Sequence, residues 1–100
     1  MISYLKGTLV EIQKLGNHRV ILTLDVNQVG YDLQVTSRML PDLPAVGESV
    51  QVFSHFQIRD DQVVLFGFSS RPERELFRQL VSVSGIGPQM GMALLDTLGL

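Results

Sequence analysis

Two glycines that flank one apolar residue, Gly85-Ile86-Gly87, lie between two segments whose apolar residues recur at helical spacing. Glycine lets the backbone turn sharply, and the second helix is predicted to begin at Pro88, directly after the turn. The first N–H groups of a helix have no partner within it and stand at the positive end of the helix dipole. This arrangement is typical of a seat for a phosphate group. The alternative is a tight turn whose glycines only satisfy the backbone geometry.

The apolar residues around the turn favour the phosphate interpretation. Their spacing resembles the helix-hairpin-helix motif, a module that binds nucleic-acid backbones without reading bases. The residues that carry this resemblance are Leu80, Val83, Gly85, Ile86 and Gly87. A dinucleotide-binding fingerprint is excluded, because the third glycine is at the wrong offset and a helix, not a strand, precedes the turn. The predicted DNA-backbone contacts are Ser84, Gly85, Ile86, Gly87 and Gln89.

A second polar cluster, Arg59-Asp60-Asp61-Gln62, separates two segments with strand-like alternation. Two adjacent carboxylates supply too few ligands for a metal ion, and nothing in the sequence indicates the burial that would separate their pKa values for acid–base catalysis. From the residues alone we expect a solvated hairpin turn. Of the two histidines, His18 is expected in an exposed turn and His55 packed on a strand. No cluster is typical of an enzyme active site, and we expect no metal and no cofactor.

The charge balance weighs against strong DNA binding by one chain. Eight Lys and Arg face ten Asp and Glu, a net charge of −2, whereas sequence-independent DNA binders draw their affinity from cations. We therefore expect weak, salt-sensitive binding that oligomerisation strengthens through avidity. The absence of cysteine excludes disulfides and thiolate metal sites. The sequence lacks both the pattern of a secretory signal and an apolar run of about 20 residues, so a soluble, cytoplasmic protein without membrane contact is expected.

The elements that must position these residues fall into two groups. Apolar and polar residues alternate with a period of two around residues 5–12, 19–26, 31–35, 50–58 and 63–68. Five short strands favour an OB-like barrel over residues 1–68, because closure removes the exposed edges of so small a sheet. Ser70 and Glu73 then match a capping box, and helical spacing follows. Residues 69–100 are predicted to form a second, helical domain that contains the glycine turn.

Taken together, these segments resemble the RuvA family, the Holliday-junction-binding subunits of the bacterial RuvAB branch-migration machinery. The segments that carry the resemblance are Val29-Gly30-Tyr31, Phe53-Ser54-His55-Phe56, Arg59-Asp60-Asp61, Leu65-Phe66-Gly67-Phe68, Glu73-Arg74-Glu75-Leu76-Phe77 and Gly85-Ile86-Gly87-Pro88. The resemblance implies an OB barrel, then helix-hairpin-helix motifs, then a mobile domain that contacts the RuvB motor. It also implies tetramers, or octamers of paired tetramers, that hold a four-way junction open and work with RuvB and the RuvC resolvase in recombination and repair.

Carried over by position, the resemblance gives the two polar clusters different roles. Gly85 and Gly87 offer backbone amides to a phosphate, while Asp60 and Asp61 form an acidic pin near the junction centre with Arg59 as its basic neighbour. The subunit itself is non-catalytic, and the chain has no phosphate-binding loop of the Walker type, so ATP hydrolysis falls to the partner.

Two departures from the family pattern lower the affinity for DNA that we expect. Gln89 stands where relatives often have lysine, and each charge-assisted hydrogen bond to a phosphate is worth roughly 1.5–3 kcal/mol. The chain also has about half the family's usual length, so we expect it to lack the second hairpin motif and the motor-binding domain. Two alternatives remain open at this point: a general OB-fold binder of single strands that uses exposed aromatic residues, and an oligomerisation scaffold. The aromatic candidates are Tyr31, Phe53, Phe66 and Phe68.

Overall fold

The computed structural model describes residues 1–16, 19–83 and 85–98, without the side chains of Arg59 and Val83. Five strands come first along the chain, and two helices follow. The strands are β1 (Tyr4–Leu15), β2 (Arg19–Val26), β3 (Val29–Thr36), β4 (Ser49–Arg59) and β5 (Gln62–Phe68). A 3-10 segment, Ser37–Asp42, lies between β3 and β4, and the helices are α1 (Arg71–Val83) and α2 (Pro88–Leu98). The predicted strands and helices are thus confirmed, whereas the division into two domains stays a prediction.

The five strands form a closed ring in the order β1-β2-β3-β5-β4. Neighbouring strands are antiparallel except β3 and β5, which run parallel and pair at Gln34 and Phe66. The long first strand makes closure possible, because its residues 4–8 pair with β4 and its residues 8–15 pair with β2. Closure gives every strand two neighbouring strands over part of its length, which limits the open sheet edge. The predicted OB-like barrel is confirmed.

The alternation read from the sequence directs one apolar face of each strand into the barrel. Leu22, Leu24 and Leu33 are fully buried there, in a cluster that also contains Leu5, Leu9, Val20, Val35, Met39, Val52 and Leu65. A second cluster joins the barrel to the helices and consists of Phe66, Phe68, Phe77, Met92 and Leu95. Phe66 and Phe68 are therefore core residues that hold the helices against the barrel, and they are not available to stack on bases.

Local signals explain where the helices begin and how closely they approach. The Ser70 hydroxyl accepts a hydrogen bond from the Glu73 N–H (3.3 Å), which is the predicted N-terminal cap of α1. Gly91 allows α2 to lie against α1, because a Cβ at this position would stand 3.1 Å from Cε1 of Phe77. Neither α1 nor α2 is long and apolar enough to cross a membrane.

Candidate nucleic-acid interface

The glycine turn, Gly85-Ile86-Gly87, connects the end of α1 to the start of α2. Gly85 has a φ of +68°, a left-handed conformation that glycine adopts without the strain a side chain would cause. Gly85 and Gly87 are both exposed, so their backbone can be approached from outside. Ser84, the other predicted contact before the turn, lies outside the described residues.

The start of α2 supplies the hydrogen-bond donors of the candidate site. The Gly87 carbonyl accepts a hydrogen bond from the Gly91 N–H (3.0 Å), which places Gly87 immediately before the first helical residue. The next position is a proline, which has no N–H, so the N–H groups of Gln89 and Met90 are the donors that helix geometry leaves without intrahelical partners. Both side chains are exposed. We call the glycine turn, these two N–H groups and the Gln89 side chain the phosphate seat.

Gln89 is held by a residue that sequence reasoning missed. Its Nε2 donates a hydrogen bond of 2.8 Å to Oε1 of Gln34, on β3. The two glutamines are 55 residues apart in sequence, so no local pattern could have paired them. The contact ties the seat to the barrel at the position where β3 pairs with Phe66 of β5.

Asp60 and Asp61, the acidic turn, form the whole connection between β4 and β5. Arg59 pairs directly with Gln62 across them, and the φ angles of the two aspartates are +52° and +62°. Positive φ at both central residues is the signature of the type I′ turn, which prefers Asn-Gly and matches the twist of the flanking strands. The predicted hairpin turn is confirmed. Both carboxylates are exposed, and the turn between β2 and β3 has the same pair of positive φ angles, at Asn27 and Gln28.

The acidic turn and the seat lie at different points along β5. Phe66, the residue beside Gln34, comes five positions after Asp61, an interval of about 17 Å along the strand. The Debye length at physiological salt is about 8 Å, so phosphates near one feature are screened from the other. The arrangement can therefore repel one part of a nucleic acid while it holds another. Within the described ranges, no three acidic or histidine side chains are grouped so that they could hold a metal ion.

The arginines of α1 are engaged within the protein. Arg74 is only 5% exposed, and its Nη1 donates to the backbone oxygen of Ser3 (2.8 Å). Arg71 and Arg74 both stand over the ring of Phe53, at 5.7 and 5.9 Å from its centre. Arg78 donates from Nε to Nδ1 of His55 (3.1 Å). Of this helical group of cations, the densest in the sequence, Arg74 is thus buried and structural, Arg78 is half-buried, and Arg71 stays exposed.

His55 is packed and hydrogen-bonded, as predicted. Its ring lies 5.4 Å from that of Phe77 in an edge-on arrangement, and Nδ1 accepts the hydrogen bond from Arg78. Burial, and next the nearby charge of Arg78, lower the pKa of His55 below its ordinary value of 6.5. Both effects favour the neutral form of this imidazole in the folded protein. His18 lies outside the described residues.

We expect the barrel to lose stability as the pH falls below about 6.5, because the unfolded chain then binds a proton that folded His55 resists. The loss begins at the unfolded pKa and ends once the pH has passed below the lowered folded pKa. For one proton, the free energy of unfolding changes by at most about 1.4 kcal/mol per pH unit, and the partial solvent exposure of His55 reduces this change.

Urea unfolding of the wild type and of His55→Gln, from about pH 7.5 to about pH 5.5, measures this effect. The glutamine can still accept a hydrogen bond from Arg78 but does not titrate, so its stability should vary less with pH. His18 is present in both proteins and cancels from the comparison. Identical pH dependence in the two proteins would show that His55 does not contribute.

Comparisons with known proteins identify the family. The family model described as the RuvA N-terminal domain matches residues 1–67. A protein of Acaryochloris marina named Holliday junction branch migration complex subunit RuvA is 59% identical over all 100 residues, which cover 48% of that protein. Proteins of the same name from Nostoc sp. and Synechococcus elongatus are 56% and 57% identical over the whole chain, which covers 47% and 48% of their lengths. The chain thus spans about half the length of the curated relatives that it matches.

The two kinds of observation agree on the barrel. The matched region contains all of β1 to β4 and ends one residue before β5 does, so the closed sheet described above is the part that the family model represents. The identity to the named relatives continues beyond it through α1, the glycine turn and α2. The chain belongs to the RuvA N-terminal domain family.

Proposed function

We propose that this chain is the part of a RuvA-type subunit that recognises four-way DNA junctions. The observation that carries the proposal is the match, at more than half identity and over the entire chain, to proteins named as RuvA subunits of the Holliday junction branch migration complex. The two polar features of the structure supply a physical mechanism that fits this role. No catalytic step is assigned to the chain.

The phosphate seat provides the attraction in this mechanism. A phosphate placed before α2 accepts hydrogen bonds from the N–H groups of the glycine turn, Gln89 and Met90, and it stands at the positive end of the helix dipole. These contacts recognise the sugar–phosphate backbone and carry no information about sequence. Such indifference suits a protein that must follow a junction as its position along the DNA changes.

The acidic turn provides the discrimination. Carboxylates at Asp60 and Asp61 repel phosphates within about one Debye length. A continuous duplex that crosses the protein brings phosphates to the turn, whereas a junction whose arms diverge from the centre keeps them away from it. Repulsion thus weakens the binding of linear DNA more than that of a junction, and it keeps the arms apart at the point of strand exchange.

Assembly is part of the proposal. With one seat for each chain and a net charge of −2, a single copy holds DNA weakly, and a tetramer around the junction multiplies the contacts. By the family resemblance, the complete cytoplasmic complex includes RuvB as the ATP-driven motor and RuvC as the resolvase.

Competition binding at a stated salt concentration tests the proposal. We expect a four-way junction to displace a labelled junction at a lower concentration than linear duplex of equal length, and single-stranded DNA to compete most weakly. Gln89→Glu, which places a carboxylate in the seat, should weaken junction binding several-fold. Gln51→Glu is the matched control, because it adds the same charge at an exposed glutamine near the start of β4, outside both the seat and the acidic turn. Equal competition by junction and duplex would refute junction recognition.

A general binder of single strands is the second candidate. It requires exposed aromatic side chains on which bases can stack. Phe66 and Phe68 are buried in the core, Phe53 is covered by Arg71 and Arg74, and Tyr31 is partly buried against the barrel core. These contacts favour the junction proposal. Tight binding of single strands in the same competition would reverse that preference.

A further inference from the structure

The contact between α2 and the barrel is polar at both ends and open in the middle. At the first end, Gln89 donates to Gln34 of β3 (2.8 Å). At the second end, the Asp96 carboxylate accepts hydrogen bonds from the Ser37 hydroxyl (2.9 and 2.8 Å) and from the Arg38 N–H (3.1 Å). Asp96 comes seven positions after Gln89, an interval of about 10 Å along the helix.

Between these ends lies a cleft of about 290 Å³, whose apolar walls include Ile21, Met92 and Ala93. Side chains do not fill the space between α2 and the outer face of β2 and β3. The apolar contacts of α2 are made elsewhere: Gly91 approaches Phe77 of α1, and Met92 and Leu95 lie in the cluster that contains Phe77 and the β5 residues Phe66 and Phe68. Packing therefore holds α2 against α1 and β5, whereas on the side of β2 and β3 the helix is held by the polar contacts at its two ends.

The Asp96 contact is the stronger of the two. A carboxylate that accepts hydrogen bonds from a hydroxyl and a backbone N–H contributes more than a neutral amide pair. The Arg38 side chain adds a longer contact from Nη1 to the Asp96 backbone oxygen (3.5 Å). All these contacts join residues 58 or 59 positions apart in sequence, so they link the helix that begins at the seat to the segment that follows β3.

We propose that Asp96 is a positioning residue for DNA binding: by anchoring α2 to Ser37 and Arg38, it fixes the direction in which the phosphate seat faces relative to the acidic turn. Gln34 has the same role at the other end of the helix. The inference rests on the proposed function, because it assumes that DNA occupies the seat. It adds that junction recognition depends on the angle between the two features and not only on their presence.

The sign of the effect distinguishes this role from simple electrostatics. Asp96→Ala removes a negative charge, which by itself should tighten DNA binding. If Asp96 positions the seat, the same substitution should instead weaken junction binding about five-fold, as the loss of one well-formed hydrogen-bonded contact predicts. Asp42→Ala removes an exposed carboxylate from the end of the same 3-10 segment and is the control for charge alone.

A distance measurement tests the anchor without DNA. The chain has no cysteine, so Glu11→Cys on β1 and Met90→Cys at the start of α2 accept two spin labels. Dipolar spectroscopy should give one narrow distance distribution in the parent and a broader or displaced one after Asp96→Ala. Ser37→Ala, which removes only the hydroxyl donor, should give a smaller change in the same direction and replaces Asp96→Ala if that variant does not fold.

The two measurements separate the possible failures. A broader or displaced distance distribution together with weaker junction binding supports the proposal. An unchanged distance distribution, or junction binding that is unchanged or tighter as with Asp42→Ala, overturns it. If the parent chain shows no preference for junctions, the proposed function fails, and the distance distribution still decides whether Asp96 orients α2.

Discussion

Gly7→Ala is expected to destabilise the barrel by about 3 kcal/mol, near the upper end of the usual cost of overpacking. Gly7 lies where β1 passes from β4, with which it pairs at Val50, to β2. A Cβ at this position would overlap the Asp25 backbone oxygen and stand 2.9 Å from the Asp25 carbonyl carbon. Because both atoms belong to the backbone of β2, no change of side-chain rotamer can relieve the contact, and the strands must separate at the point where the ring closes.

Gly30→Ala is the matched control, because Gly30 pairs with the same Asp25 from the other side. Its added Cβ would meet only the Thr23 methyl group at 4.0 Å, an ordinary contact, so the change should be close to neutral. Urea unfolding measures the free energy of unfolding of both variants, and its dependence on urea concentration should have the same slope in each. If the two variants proved equally stable, the close approach at Gly7 would have no energetic consequence.

The barrel and the helices could be predicted because their signals are local. Alternating residues such as those of β2 fix which face is buried, and a one-residue change of register would expose that face. The start of α1 is encoded within four residues by Ser70 and Glu73. The glycine turn was visible for the same reason, since a left-handed glycine and a proline at the first helical position depend on neighbouring residues only.

The roles of the charged residues could not be predicted in the same way. The sequence shows three arginines at helical spacing on α1, a pattern typical of a solvated basic face. The structure buries Arg74 against Ser3, a residue 71 positions away, and pairs Arg78 with His55. These partners exist only once the barrel has closed, so no local pattern reveals them.

The candidate site likewise combines features that follow from local sequence with features that depend on distant partners. Its donors, at the glycine turn and the start of α2, follow from local geometry, whereas its orientation depends on Gln34 and on the partners of Asp96. A spacing of 55 to 59 residues carries no periodic signal. From one sequence, therefore, a candidate site can be predicted, whereas the direction in which it faces cannot.

Asp60→Asn/Asp61→Asn is expected to tighten the binding of linear duplex about five-fold and to leave junction binding nearly unchanged, so that the preference for junctions falls by the same factor. Two carboxylates near phosphates, screened by physiological salt, account for about 1 kcal/mol in total. The substitution should not disturb the turn, because asparagine adopts the left-handed conformation of both positions at least as readily as aspartate.

If the acidic turn selects junctions, the effect of the double variant must come from where the charges are removed and not only from the change in net charge. The double variant changes the net charge from −2 to zero, and Glu11→Gln/Asp42→Asn makes the same change at two exposed positions outside the turn. We expect the control to bind junction and duplex slightly and equally more tightly. Raising the salt to about 1 M shortens the Debye length to about 3 Å and should remove the difference between the two double variants. If the ratio of junction to duplex affinity is the same in the turn variant as in the wild type, repulsion at Asp60 and Asp61 does not select junctions, and the selectivity must come from the arrangement of the seats.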